Sequence, residues 1–194
     1  KEFTKSFAFR MKTDAEPKLT KNTGFYERTS KLTRNFVDAR GYWLPNDYTK
    51  HGVINEYTAC REKAVVIDLS ALRKFEILGP DAEELMNYTL TRNVKKLSIG
   101  QVVYSSMCYD NGFMFDDGTL LKMSDHGFRW ICGDEYAGEW LKEQAKKKNY
   151  KVRIKNSSDQ ISNISLQGPN SRKILEKFIW TPPTQPKISE LQWF

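Results

Sequence analysis

The residues best suited to chemistry flank the dipeptide Asn111-Gly112. That pair is a strong short hairpin signal, because a two-residue turn of this kind needs positive φ at both positions. Counting outward from it sets Asp110 opposite Phe113, Ser106 opposite Asp117 and Tyr104 opposite Thr119, with the last two pairs on one sheet face. Along the second strand Asp117 shares the parity of Phe113, Phe115, Thr119, Leu121 and Met123, so a carboxylate projects from a largely apolar row. An ionised carboxylate buried there without partners costs on the order of several kcal/mol, so it requires donors, a cation or a ligand. Two readings stand. Either Asp117 meets a polar ligand, or Asp117-Gly118 marks a bulge near a strand edge where the acid reaches water. Tyr104 is either a core aromatic or a ring that stacks on a flat ligand. Asp116 has the opposite parity, beside Met114 and Lys122, and a surface pairing with the lysine is its expected fate. Asp68 and Ser70 read as turn or helix-cap residues, with ligand contact as the other option.

Other chemistries find little support. Cys60, Cys108 and Cys132 are widely separated, which fits a reducing compartment rather than a disulfide framework. With His51 and His126 as its histidines, the chain has no HExxH or His-x-His spacing, and no metal site is expected. No Gly-x-Ser-x-Gly turn supports a hydrolase triad. The 194 residues are 39% hydrophobic and 13% aromatic, which excludes disorder, collagen and coiled coil. A formal charge of +7, from 31 basic against 24 acidic residues, suits nucleic acid, an anionic membrane surface or a polyanionic small ligand. Zinc-finger spacing, an RNP-like aromatic string and a Walker loop are all missing, so nucleic acid is not expected as a partner. Lys146, Lys147 and Lys148 read as the solvated end of a helix. No apolar run reaches about eighteen residues and the first thirty carry no leader-like apolar stretch, so the expectation is a cytoplasmic chain without a membrane segment.

The elements that must position the hairpin follow from periodicity. The first sixty residues have weak periodicity, with Tyr42-Trp43-Leu44-Pro45 as a compact apolar turn. Strands are expected at 64–69 and 74–78, then a helix from Asp81, whose spacing to Glu84 resembles a capping box. The strands of the hairpin, a short strand at 128–132, an amphipathic helix over 136–149 and a strand at 151–155 come next. This order suggests an α+β layer of the ferredoxin-like, split-βαβ kind, with helices on one face and the other free. A strand at 161–166, a turn at Gln167-Gly168-Pro169 and a helix over 170–179, with Ile174, Leu175, Phe178 and Ile179 inward, complete the pattern.

The run Asn55 to Ser70, with Glu56, Arg61, Val66, Asp68 and Ser70, then Leu78-Gly79-Pro80-Asp81-Ala82, resembles the opening of the glycine-cleavage T-protein (aminomethyltransferase) family. Thr91-Arg92-Asn93-Val94, Gly100, Tyr104-Ser105, Gly112, Asp116-Asp117 and Leu166-Gln167-Gly168-Pro169 follow in the family's order, so the likeness spans about residues 42 to 180. It implies a tetrahydrofolate-dependent one-carbon transferase. It also implies a ferredoxin-like layer (64–157) inserted into a Greek-key-containing folate-binding domain (1–63 and 158–194), and a C-terminal barrel that lies outside this chain. By position, the acid placed against the reduced ring nitrogens is Asp117 and the ring tyrosine is Tyr104. Leu72, Thr119 and Ile131 join Tyr104 as walls of the pterin site. The implied donor is an aminomethyl group on a lipoyl carrier protein or, in a sibling demethylase, a methyl group on a small molecule. A non-catalytic folate-binding scaffold is the third version. Departures from the family pattern favour a divergent member: Asp-x-Ser-His-Met reads Asp68-Leu69-Ser70-Ala71-Leu72, a glycine before the Asp pair is Phe113, and an expected Asn is Gly133.

Overall fold

The structure, a computed structural model, describes residues 20–192. They divide into two units, one of residues 20–71 with 162–192 and the other of residues 72–161.

In the first unit β1 (Lys21–Asn22), β2 (Phe36–Ala39) and β3 (Tyr42–Pro45) form a sheet in the order β1-β3-β2, parallel between β1 and β3 and antiparallel between β2 and β3. The β2–β3 turn passes through positive φ at Arg40 and Gly41, and the Asp38 carboxylate accepts the Gly41 amide at 2.9 Å. Tyr42 to Pro45 is therefore a strand and not the expected turn, with Tyr42 and Trp43 buried on it. β4 (Val65–Asp68) pairs antiparallel with a strand at Ile164–Gln167, a long-range pairing that the alternation of a single strand cannot reveal. The turn after that partner strand needs its glycine: Gly168 has φ +124°, and a Cβ there would come within 2.7 Å of the Lys63 carbonyl oxygen.

Helices at Tyr26–Leu32, Gly52–Glu62 and Ser171–Leu175 belong to this unit, and none has a buried residue. That explains why periodicity marks the first sixty residues so weakly: a helix that buries no face carries no apolar stripe. The helix expected over 170–179 stops at Leu175, and Phe178, expected inward, is 81% exposed.

The second unit is one five-stranded antiparallel sheet with two helices. β5 (Arg73–Leu78), β6 (Val102–Cys108), β7 (Met114–Ser124), β8 (Gly127–Cys132) and β9 (Arg153–Asn156) lie in the order β6-β7-β8-β5-β9. Helices Ala82–Thr89 and Tyr136–Lys147 pack on one face. Phe75, Ile77, Leu120, Phe128 and Trp130 from the sheet meet Ala82, Leu85, Met86, Ala137, Leu141 and Ala145 from the helices in a single core. Gly138 lets the second helix approach closely, because a Cβ there would collide with the Phe75 ring. The capping box expected at Asp81 does not form; the Asp81 carboxylate instead accepts the Lys151 amide at 2.6 Å. Strand Ile164–Gln167 and the helix after it return to the first unit, where this last strand is β10.

Candidate functional site

Tyr104 pairs with Thr119, Thr119 with Ile131, and Ile131 with Lys74, so one row crosses β6, β7, β8 and β5. At the usual strand spacing this row is about 14 Å long. It lies on the face away from the helices, since the alternate residues Phe75, Leu120 and Trp130 enter the core. Asp117 sits two positions along β7 from Thr119, on the same face and opposite Ser106, and Leu72 lies just before β5 with the parity of Lys74. The sheet thus puts Asp117, Tyr104, Thr119, Ile131 and Leu72 on one face.

This register agrees with the count from Asn111-Gly112, yet the turn is not the expected one. Of the two residues only Gly112 has positive φ, at 84°. Tyr109 donates its amide to Phe113 at 2.9 Å, which leaves a three-residue loop. The pairing then shifts between Met107↔Asp116 and Cys108↔Met114, so Phe115 is the extra residue of a bulge. The longer loop and the bulge cancel beyond residue 116. Phe115 is turned out of Asp117's row and instead packs 4.7 Å from Tyr109, 5.6 Å from Tyr136 and 5.5 Å from Trp140, centroid to centroid. Asp117-Gly118 is not the bulge. Gly118 pairs regularly with Ser105 and Cys132, and a Cβ on it would collide with the Ile131 carbonyl oxygen.

Asp117 is half-buried, and the Tyr104 hydroxyl donates to its Oδ2. Tyr104 is 46% exposed, so it is not a core aromatic. A flat ligand laid on this face would meet the Tyr104 ring, the short Thr119 side chain and the apolar Ile131 and Leu72, with a carboxylate at one end.

Sequence reasoning misplaced Asp116. It is 8% exposed, and its Oδ1 accepts the amides of Asp117 at 2.9 Å and Gly133 at 3.2 Å while Oδ2 accepts that of Asp134 at 3.1 Å. Lys122, its expected partner, pairs with Glu83 at 2.6 Å. The available signal was the doublet itself: on a strand covered by helices, two consecutive acids must include one that faces inward, and an inward carboxylate draws backbone donors. Asp116 thereby ties β7 to the turn after β8, directly behind Asp117. Burial first, and then the Asp116 charge, pushes the Cys132 thiol up far beyond the ordinary thiol range, so it is a protonated, inert packing group. Asp68 has the expected turn role, accepting the Thr23 hydroxyl at 2.6 Å and the Ser70 amide at 3.0 Å.

Among the described residues no cluster of three His, Cys, Asp or Glu side chains could hold a metal ion, and no helix is long and apolar enough to cross a membrane.

Comparison with known proteins bears on this geometry. The chain is 53% identical over 192 residues to the trimethylamine-oxide aldolase of Ruegeria pomeroyi, covering 99% of this chain and 24% of that protein. It is 31% identical over 178 residues to the aminomethyltransferase of Alkaliphilus metalliredigens, covering 90% of this chain and 46% of that one. It therefore spans less than half the length of these relatives. The crystal structure of the glycine cleavage system aminomethyltransferase T from Bartonella henselae superposes with a TM-score of 0.69 at 25% identity, over 81% of this chain and 43% of that one. A family model, the GCVT N-terminal domain, matches residues 25–188, which include every residue of the sheet and of the row just described; the chain belongs to that family.

Proposed function

We propose that this chain is the folate-binding part of a tetrahydrofolate-dependent one-carbon transferase. The observation that carries the reading is the sheet face away from the helices, where a tyrosine-bonded carboxylate stands beside a row of aromatic, short and aliphatic side chains. The residues fit a reduced pterin: a flat, partly apolar ring with several N–H donors suits a flat wall with an acceptor at one end. The strand order β9-β5-β8-β7, with β6 added at the edge, supports the ferredoxin-like layer that the family resemblance implies. Bound there, tetrahydrofolate supplies the ring nitrogen that accepts the one-carbon unit. Asp117 holds or accepts the proton of that nitrogen and offsets positive charge that develops beside it. The Tyr104 hydroxyl orients the carboxylate, and its ring, with Leu72, Thr119 and Ile131, walls the ligand. The basic balance of the chain suits the carboxylates of folate.

The family resemblance allows two donors, an aminomethyl group on a lipoyl carrier protein or a methyl group on a small molecule. The 53% identity with a protein named for trimethylamine oxide favours the second, a small methylated nitrogen compound. Full-length protein incubated with tetrahydrofolate and each donor in turn, assayed for ammonia released from the carrier-bound group against demethylated amine released from the small molecule, separates the two. Asp117→Asn is expected to lower turnover at least about tenfold. Folate binding without either product from any donor would leave a binding scaffold, and an unchanged rate in Asp117→Asn would remove the carboxylate from the mechanism.

A further inference from the structure

A second row of side chains lies beside the one that carries Tyr104 and Thr119. Two positions past Thr119 on β7 comes Leu121, which pairs with Val102 on β6 and with Arg129 on β8, and Arg129 pairs in turn with Glu76 on β5. This row shares the sheet face of Asp117, because the alternate residues Ile77, Leu120, Phe128 and Trp130 enter the core. In the opposite direction regular pairing on β7 stops at the Phe115 bulge, so a long ligand seated beside Asp117 extends along β7, over Thr119 and Leu121.

Arg129 is held side-on at the end of that path. Its Nε donates to Glu76 Oε1 at 2.7 Å, and the same oxygen accepts the hydroxyl of the buried Ser157 at 2.9 Å. The pair uses Nε, and among the described residues the outer edge of the guanidinium, Nη1 with Nη2, carries no hydrogen bond or ion pair. The side chain is 25% exposed. That edge presents two parallel N–H bonds, the geometry that matches both oxygens of one carboxylate. Glu76, itself fixed by Ser157, thereby orients the guanidinium and leaves its anion-binding edge available.

Spacing sets which anion can reach it. Four residues of strand and one step between strands separate Asp117 from Arg129, about 14 Å in all. In extended tetrahydrofolate the ring nitrogen N5 lies roughly 13 Å from the α-carboxylate of the glutamyl group, at ordinary bond lengths. We propose that Arg129 binds a glutamyl carboxylate of the folate through its Nη1–Nη2 edge, so that the site selects a whole folate rather than a reduced pterin alone. The inference rests on the folate reading of this face and extends it from the reacting ring to the acidic end of the ligand. With the ring at Asp117, the benzoyl group crosses Leu121 and the carboxylate arrives at Arg129.

Titration of the full-length protein with tetrahydrofolate and with its glutamyl dimethyl ester, in which both carboxylates are neutral, tests this as a cycle. The unmutated protein is expected to bind the ester about tenfold more weakly. Arg129→Gln should raise the Kd for tetrahydrofolate about tenfold and leave that for the ester within about twofold, since the ester has already lost what the arginine reads. Equal affinity of the unmutated protein for both compounds overturns the proposal. So does an Arg129→Gln variant that binds tetrahydrofolate as the parent does, or one that weakens both compounds alike, which is the mark of a merely structural arginine. If Arg129→Gln does not fold, Arg129→Lys takes its place. It keeps the charge without the two-pronged edge, and a several-fold loss confined to tetrahydrofolate is expected; no loss, or the same loss for the ester, overturns the proposal. Failure of the unmutated protein to bind tetrahydrofolate at all would instead overturn the folate reading itself.

Discussion

Asp116 and Asp117 are neighbours in sequence and lie on opposite faces of β7, so the same carboxylate does two kinds of work. Asp116 faces inward and accepts three amides, so each of its oxygens is committed to the backbone. In Asp116→Asn one of those oxygens becomes an NH2 group pointed at an N–H donor, and the charge that strengthens the remaining bonds is gone. The expected cost is about 1–3 kcal/mol, read as a fall of several degrees in melting temperature. Asp117 is half-buried and accepts the Tyr104 hydroxyl, so Asp117→Asn should change stability by less than about 1 kcal/mol. The two isosteric changes should separate: position 116 loses stability first, and position 117 loses turnover with its melting temperature nearly intact. Melting curves and steady-state rates on the same two variants check this, and a reversed pattern would exchange the roles assigned to the acids. Parity read from the sequence puts Asp117 on the sheet face away from the helices, as the strand pairing does. It misassigned Asp116 because parity states which face a side chain takes and not whether that face is covered.

At the scale of elements, β7 holds the site together because it is an interior strand, with β6 on one side and β8 on the other. Gly118 lies between Asp117 and Thr119, where β7 and β8 run so close that a Cβ would strike the Ile131 carbonyl oxygen and come within 3.0 Å of the Trp130 ring. The obstacle is backbone, which cannot turn aside as a flexible side chain can. Gly118→Ala should therefore wedge the two strands apart, destabilise the fold by at least about 1–3 kcal/mol and weaken folate binding together with it. Melting temperature and a tetrahydrofolate titration check both effects; an alanine variant as stable as the parent would contradict the close approach. Strands and helices of residues 72–161 were legible because each buries one face: Phe75 and Ile77 alternate on β5, and Ala137, Leu141 and Ala145 repeat at helical spacing. Helix Gly52–Glu62 was not legible because it buries no residue. The hairpin register was legible even though its turn was misread, since the Phe115 bulge restores what the extra loop residue displaces.

For the whole molecule, the distribution of buried residues decides which part can stand alone. Every member of the main core, from Phe75 to Ala145, lies in the continuous segment 72–161. In the described part of the first unit the buried apolar residues are Tyr42, Trp43 and Ala71, and its own helices bury nothing. A segment with its own core and no chain crossing out and back meets the physical criterion for an independently folding domain. Residues 72–161 expressed alone should therefore unfold in one cooperative transition, with the near-ultraviolet signal of the fully buried Trp130 lost at the same temperature as the far-ultraviolet signal. Separated transitions, or binding of a hydrophobic dye before melting, would mean that its packing depends on residues outside the segment. The same fragment bears on the site, because Tyr104, Asp117, Thr119, Ile131, Leu72 and Lys74 all lie within it. If the row is preformed by the sheet alone, the isolated segment keeps the Tyr104–Asp117 contact. The Tyr104 ring resonances should then shift in Asp117→Asn of the fragment as they do in the full-length protein, which NMR of the two pairs measures directly.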